Sequence, residues 1–244
     1  MALLELNGVE KRFRGLPAVA DVSFSVDEGE ILALVGPNGA GKTTLLKAIC
    51  GIHAPTGGTI LFNGQNITGF KPHRARHAGV AIVLQTPRPF ETMTVRENAA
   101  VGALFGGNRL PETEAMRRAD AMLEFVELSD RRDEPVSSLN LHEQRFLEIA
   151  RQLAAEPQLI LLDEVMAGLN DTELEQSVQM VRRTRSEFGV TVIWVEHVMK
   201  AVMSLAERIL VINFGKLIAD GEPQEVMRQP DVITAYLGEN ALAK

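Results

Sequence analysis

Three things are scarce in this chain, and each scarcity excludes something. Of 244 residues only one is cysteine, Cys50. An internal disulfide is impossible, and a cysteine-bound metal site is excluded. Cys50 stands in an apolar helical stretch, where most cysteines act as small buried hydrophobes. Surplus positive charge is also missing. Lys and Arg number 25 against 32 Asp and Glu, a formal net charge of −7. Nonspecific grip on nucleic acid needs excess Lys and Arg against phosphate, so no nucleic-acid partner is expected. Long apolar runs are the third lack. None approaches the ~18 uninterrupted residues of a membrane span. The opening MALLELNGVEKRF has no basic start followed by an apolar run, so no signal peptide is expected. No internal repeat or low-complexity tract occurs.

What is present is ample core material, 45% hydrophobic residues. A single domain over residues 1–244 is expected. Val22, Phe24 and Val26 alternate with polar neighbours, the period of a half-buried strand over Asp21–Val26; Leu3–Asn7 reads as another strand. Ile31–Val35, Val80–Leu84 and Leu159–Asp163 are short continuous apolar runs, suited to strands buried on both faces. Further strands are expected at Thr59–Phe62, Val190–Val195, Ile209–Asn213 and Leu217–Asp220. Helices are expected at Lys42–Gly51, Glu112–Leu128, Glu143–Ala155, Asp171–Glu187, Val198–Ala206, Pro223–Arg228 and Asp231–Leu237. Alternating strands and helices predict an α/β core with parallel strands. The short N-terminal connections predict an antiparallel piece at one edge. Residues 86–150, rich in helix, read as an inserted lobe.

Gly36-Pro37-Asn38-Gly39-Ala40-Gly41-Lys42-Thr43 fits the spacing of a phosphate-cradling loop, between a buried strand and a helix. Its glycines let backbone N–H groups turn inward as a nest for anionic oxygens. The helix N-terminus adds its dipole and unpaired donors. Lys42 is expected to reach the β- and γ-phosphates, Thr43 to give its hydroxyl to magnesium, and Thr44 to contact the α-phosphate. ATP with Mg2+ is the expected ligand. A glycine-rich helix cap with a solvated lysine is the bland alternative, and the full context argues against it.

Leu159–Leu162 is an apolar strand that delivers two acids, Asp163 and Glu164, at its C-terminal end, where α/β sheets keep their ligands. Asp163 suits magnesium. Glu164, one residue on, points elsewhere and suits a general base that polarises the attacking water.

With these motifs the chain resembles the ATP-binding subunits of ATP-binding-cassette transporters, from Leu3 to Leu237. Pro87-Arg88-Pro89-Phe90, Thr94–Asn98, Asp163–Leu169 and Tyr236-Leu237-Gly238 are similar to the larger-type ATPase subunit of branched-chain amino acid importers. The resemblance implies a P-loop nucleoside triphosphatase core of α/β class with a mostly parallel sheet, an N-terminal antiparallel β subdomain and an inserted α-helical lobe. It implies that Phe13 stacks on adenine, that Gln85 touches magnesium and the attacking water, and that His197 is the switch histidine at the γ-phosphate. From the residues alone, Phe13 reads as core, Gln85 as a strand cap and His197 as a structural histidine. A lobe groove near Gln85–Glu97, with Phe90 and Met93 as apolar contacts, is expected to receive the permeases.

The implied partners are a second cassette subunit, identical or homologous, two transmembrane permease subunits and, indirectly, an extracytoplasmic solute-binding protein. The implied place is the cytoplasmic face of the inner membrane. Alternatives are a cassette protein acting on nucleic acid, or a regulatory nucleotide-binding module with low turnover.

The signature loop departs from the family. Where leucine, serine, two glycines and glutamine are usual, this chain has Leu139-Asn140-Leu141-His142-Glu143. Asn140 keeps a donor for the γ-phosphate held by the opposite subunit. Leu141 and His142 replace both glycines and are expected to crowd a close backbone approach. Glu143 brings a negative charge toward a phosphate unless its side chain turns away. Asn170 stands where an aspartate of the interface loop is usual, and Val165 where proline is common.

Overall fold

The computed structural model describes residues 2–237. β1 (Ala2–Phe13) and β2 (Leu16–Asp27) form a long antiparallel hairpin. Both strands run well past the expected segments. Register shifts in their pairing, one of them between Leu6 and Val9, break the period of two, so the sequence pattern hides their continuity. β3 (Ile31–Val35) is buried throughout, and α1 (Lys42–Ile49) follows the glycine-rich loop. β4 (Gly57–Phe62) and β5 (Gln65–Asn66) complete a four-stranded antiparallel sheet in the order β2-β1-β4-β5.

α2 (Pro72–Ala78) has no apolar period, buries only Ala75, and escapes a search for amphipathic helices. Its signals are local: Pro72 in the first turn and Gly79 at the C-cap with φ 108°. β6 (Val80–Val83) leads into three helices, α3 (Val95–Phe105), α4 (Glu112–Phe125) and α5 (Leu141–Leu153). α5 begins two residues before the expected Glu143. Then β7 (Leu159–Asp163), α6 (Asp171–Phe188), β8 (Thr191–Val195), α7 (Met199–Leu205), β9 (Arg208–Asn213), β10 (Lys216–Gly221), α8 (Pro223–Val226) and α9 (Pro230–Leu237) finish the described chain. Gly238, part of the tail resemblance, lies outside the described residues.

The second sheet has the order β10-β9-β3-β8-β7-β6. Its strands are parallel except β10, which runs antiparallel to β9. Alternate residues of one strand serve different cores. In β7, Ile160 and Leu162 face a core shared with α3, α4, α5 and α6, whereas Leu159 and Leu161 face the core around α1 and the antiparallel sheet. That two-sided burial is why these strands read as unbroken apolar runs. A third, smaller core joins β3 and β9 to α7, α8 and Val232 of α9.

α3 meets α5 at Gly102. A Cβ there would stand 1.8 Å from the Arg151 carbonyl oxygen, a backbone atom that cannot rotate away. Gly102→Ala is expected to force the helices apart and cost about 1–3 kcal/mol of stability. Urea unfolding monitored by circular dichroism measures it; an unchanged midpoint would contradict this close packing.

Candidate functional site

Strand order assembles the site. Proceeding across the sheet, β3, β8, β7 and β6 are neighbours and parallel, so their C-terminal ends share one edge. Each end carries one candidate group: the glycine-rich loop after β3, His197 after β8, Asp163 and Glu164 at β7, Gln85 after β6. Residues spread from Gly36 to His197 become adjacent there.

The loop is held from behind. The Gly215 N–H donates to the Ala40 carbonyl at 2.8 Å, and the Ala20 N–H donates to the Gly215 carbonyl at 2.8 Å. Gly36 and Gly41 have φ 146° and 108°, and a Cβ on either would come within 2.0 or 2.2 Å of the carbonyl of Ile212 or Ala18. These two glycines are therefore required by the packing beneath the loop as well as by its turn. Lys42 is buried and donates from Nζ to the carbonyls of Gly36 at 2.7 Å and Pro37 at 3.0 Å. Burial lowers its pKa, and the carboxylates of Glu164 and Asp163 oppose that shift. The loop and Glu164 line a cleft of about 170 Å³, with Asn38, Gly39, Lys42, Thr43 and Thr44 in its wall.

The Thr43 hydroxyl donates to Asp163 Oδ1 at 2.9 Å, across 120 residues of sequence. Burial raises the Asp163 pKa; the Thr43 hydrogen bond lowers it, Glu164 adds to the rise, and Lys47 and Lys42 counter it. Gln85 Nε2 donates to Glu164 Oε2 at 2.9 Å. Glu164 has φ 51°, a left-handed conformation unusual for a residue with a side chain. Its N–H donates to the Val195 carbonyl at 3.0 Å, which ties the strained residue to β8.

His197 is half exposed, with Nδ1 3.7 Å from Glu196 Oε2. Glu196 itself is fully buried and was not a sequence candidate. The available signal was an acid that follows directly on the apolar run Val192–Val195. Phe13 is 42% exposed at the hairpin tip and does not line the phosphate cleft. Its ring stands nearly perpendicular to that of His53, with centroids 5.2 Å apart, and Lys11 Nζ lies over it, 5.0 Å from its centroid. One aromatic face is thus engaged locally, and His53 is a neighbour that sequence reasoning missed.

The signature segment stands at the start of α5, outside this cleft. Asn140 is the N-cap: its Oδ1 accepts from the Glu143 N–H at 2.9 Å, and Glu143 Oε2 accepts from the Asn140 N–H at 2.8 Å. Glu143 Oε1 also lies 3.0 Å from Arg131. The charge expected to face a phosphate is therefore turned back into a capping box and paired. His142 is likewise turned inward, with Nε2 3.2 Å from Ser177 Oγ and its ring against Phe146. Leu141 is left outward, 55% exposed. Asn170 forms the same reciprocal cap with Glu173 on α6, a task that Asp would also perform.

Comparison with known proteins agrees with this geometry. A family model described as "ABC transporter" matches residues 19–167, and one described as "Branched-chain amino acid ATP-binding cassette transporter" matches residues 216–241. The high-affinity branched-chain amino acid transport ATP-binding protein BraF of Pseudomonas aeruginosa is 40% identical over 250 residues, covering 97% of this chain and 98% of that protein. LivG of Escherichia coli, a protein of the same description, is 39% identical with the same coverage. A crystal structure of an ATP-binding cassette of an ABC transporter in its ADP conformation superposes with a TM-score of 0.89 at 30% identity, covering 98% of this chain and all of that one.

Proposed function

Because the chain belongs to the ABC transporter family and is an ATPase of that type, we propose that it energises import of branched-chain amino acids through partner permeases. One observation carries the chemistry. Lys42, the Thr43–Asp163 pair and the Gln85–Glu164 pair converge from separate strands on one edge of the sheet. The solute rests on the likeness to BraF and LivG and on the C-terminal match.

The residues fit Mg2+. A hydroxyl and a carboxylate oxygen already stand 2.9 Å apart at the end of a buried strand, and magnesium takes one or two protein oxygens and leaves the rest to phosphate and water. Thr43 and Asp163 would hold it, with Gln85 beside them. Bound there, the ion neutralises charge on the phosphoryl oxygens during transfer. Lys42 exchanges its bonds to the Gly36 and Pro37 carbonyls for phosphate oxygens. Glu164 accepts a proton from the attacking water, and Gln85 orients that carboxylate. His197 donates to the γ-phosphate. Catalysis is positioning plus electrostatic stabilisation.

The assembly proposed is a head-to-tail sandwich of two cassettes, identical or homologous, with two permeases above and a solute-binding protein outside. No helix among the described residues is long and apolar enough to cross a membrane, so attachment to the cytoplasmic face is through the permeases. A groove of about 390 Å³ between α2, α3 and α5 suits their docking: Phe90 and Phe105 are exposed there, beside Arg76, Arg88 and Arg151. Met93 is half-buried and lies outside that lining.

The site completed by this chain's own signature loop is the weaker one in this reading. Leu141 projects where a glycine would let a phosphate approach backbone donors. Glu143 does not contribute repulsion, since its charge is paired with Arg131.

The test is reconstitution with the permeases in vesicles. Binding protein loaded with leucine, isoleucine or valine is expected to stimulate ATP hydrolysis severalfold over empty binding protein. Hydrolysis indifferent to all three would overturn the solute assignment, and failure to copurify with permeases would overturn the transport role.

A further inference from the structure

Glu196 has no solvent exposure. A carboxylate removed from water is tolerated when its oxygens are well satisfied. Among the described residues its hydrogen-bond donors are main-chain groups. Oε1 accepts from the Met166 N–H at 3.0 Å, and Oε2 accepts from the His197 N–H at 2.9 Å and the Val198 N–H at 3.3 Å. Met166 belongs to the segment that leaves Glu164; His197 and Val198 form the turn into α7. Two loops therefore end on one side chain, one on each oxygen. Only an ionised carboxylate offers acceptors on both sides, because an amide would set its own N–H against one of the donors. A third element faces the same group. Arg145 of α5 is 5% exposed, and its Nε and Nη1 make no hydrogen bond. Its charge is favoured by the fields of Glu196 and Glu173 against the effect of burial.

We propose that Glu196 is a positioning residue of the hydrolytic site, clamping the turn of His197 to the segment after Glu164 so that both groups meet the same γ-phosphate at a fixed separation. The proposal rests on the ATPase reading above. The clamp touches neither nucleotide nor metal and acts through His197 and Glu164.

Glu196→Gln preserves shape and removes one acceptor. In the isolated chain, amide exchange followed by NMR is expected to lose protection at Met166, His197 and Val198, and the thermal midpoint to fall by roughly a few degrees. In the reconstituted complex, kcat is expected to fall about tenfold and KM for ATP to move less than about twofold, the pattern of a lost transition-state arrangement. A Glu196→Gln, His197→Ala double variant is expected to be no slower than His197→Ala alone, since the clamp works through that histidine. Wild-type kcat in Glu196→Gln despite lost protection overturns the positioning role and leaves the ATPase reading intact. Losses that multiply in the double variant also overturn it, and so does a fall confined to the thermal midpoint. A wild-type complex without ATP hydrolysis overturns the parent reading and this one together.

Discussion

Glu164→Gln is expected to lower ATP turnover of the assembled complex by about 10²–10⁴-fold, the usual range for removing a general base. ATP affinity is expected to stay close to wild type. Gln has the same shape, so the left-handed backbone at residue 164 and its N–H bond to Val195 survive. What disappears is the charge proposed to polarise water, while the amide oxygen can still accept from Gln85. The same experiment examines the asymmetry of the sandwich. In the proposed sandwich, Glu164 serves the site that the partner's signature loop completes, and the partner's own acid serves the site completed by Leu139–Glu143 of this chain. Changing the partner's acid is expected to cost much less than changing Glu164. Equal losses from the two changes would sink the asymmetric model, and steady-state phosphate release from the complex measures both. The physical reason for the difference is Leu141, which stands exposed at the tip of α5 where a backbone approach has to be close.

Lys42→Ala is expected to weaken ATP binding by about 10–100-fold, from a charge-assisted hydrogen bond worth about 1.5–3 kcal/mol, and to leave turnover near background. In the structure the ammonium group is buried and folded onto the carbonyls of Gly36 and Pro37. Its presence beside those oxygens keeps negative carbonyl dipoles from lining the cleft unopposed. Removing it therefore does two things: it deletes a donor for the phosphates and exposes acceptors that repel them. Titration with a fluorescent ATP analogue measures the affinity. An affinity within twofold of wild type would mean that Lys42 stays on the loop carbonyls when nucleotide is bound. In a complex with a wild-type partner, transport is expected to fail with it, since both nucleotides close the same interface.

The two changes separate the two halves of the site. In the proposed mechanism Lys42 holds the phosphates in the ground state and more tightly in the transition state, so its loss is seen in binding and in turnover. Glu164 acts on water only during transfer, so its loss is seen in turnover. In the proposed mechanism Gln85 lies between them in effect, because its amide is hydrogen-bonded to Glu164 and it stands beside the residues that would hold magnesium.

Several features of this chain were legible without coordinates because they are set locally. Ile31–Val35 and Leu159–Asp163 read as buried strands, and their bounds match, because burial on both faces leaves only apolar side chains. The glycine spacing from Gly36 to Gly41 reports a turn that a Cβ would obstruct, and Lys42-Thr43 follows wherever that turn opens a helix. Other features needed the tertiary structure. The pairing of Thr43 with Asp163 depends on strand order, which no local period encodes. The hairpin's bulges broke its alternation, and α2 buries too little to show one. The orientation of Glu143 was undecidable from its neighbours, because Arg131, its ion-pair partner, arrives from a separate turn. Glu196 was not a sequence candidate; only the tertiary packing makes it a buried acceptor for the loops after β7 and β8. The sequence alone determined that this chain presents a phosphate loop and a strand bearing two acids. Which groups meet at that loop, and which charges are turned away from it, was decided by the tertiary structure, because hydrogen bonding and burial act between residues that the chain itself keeps far apart.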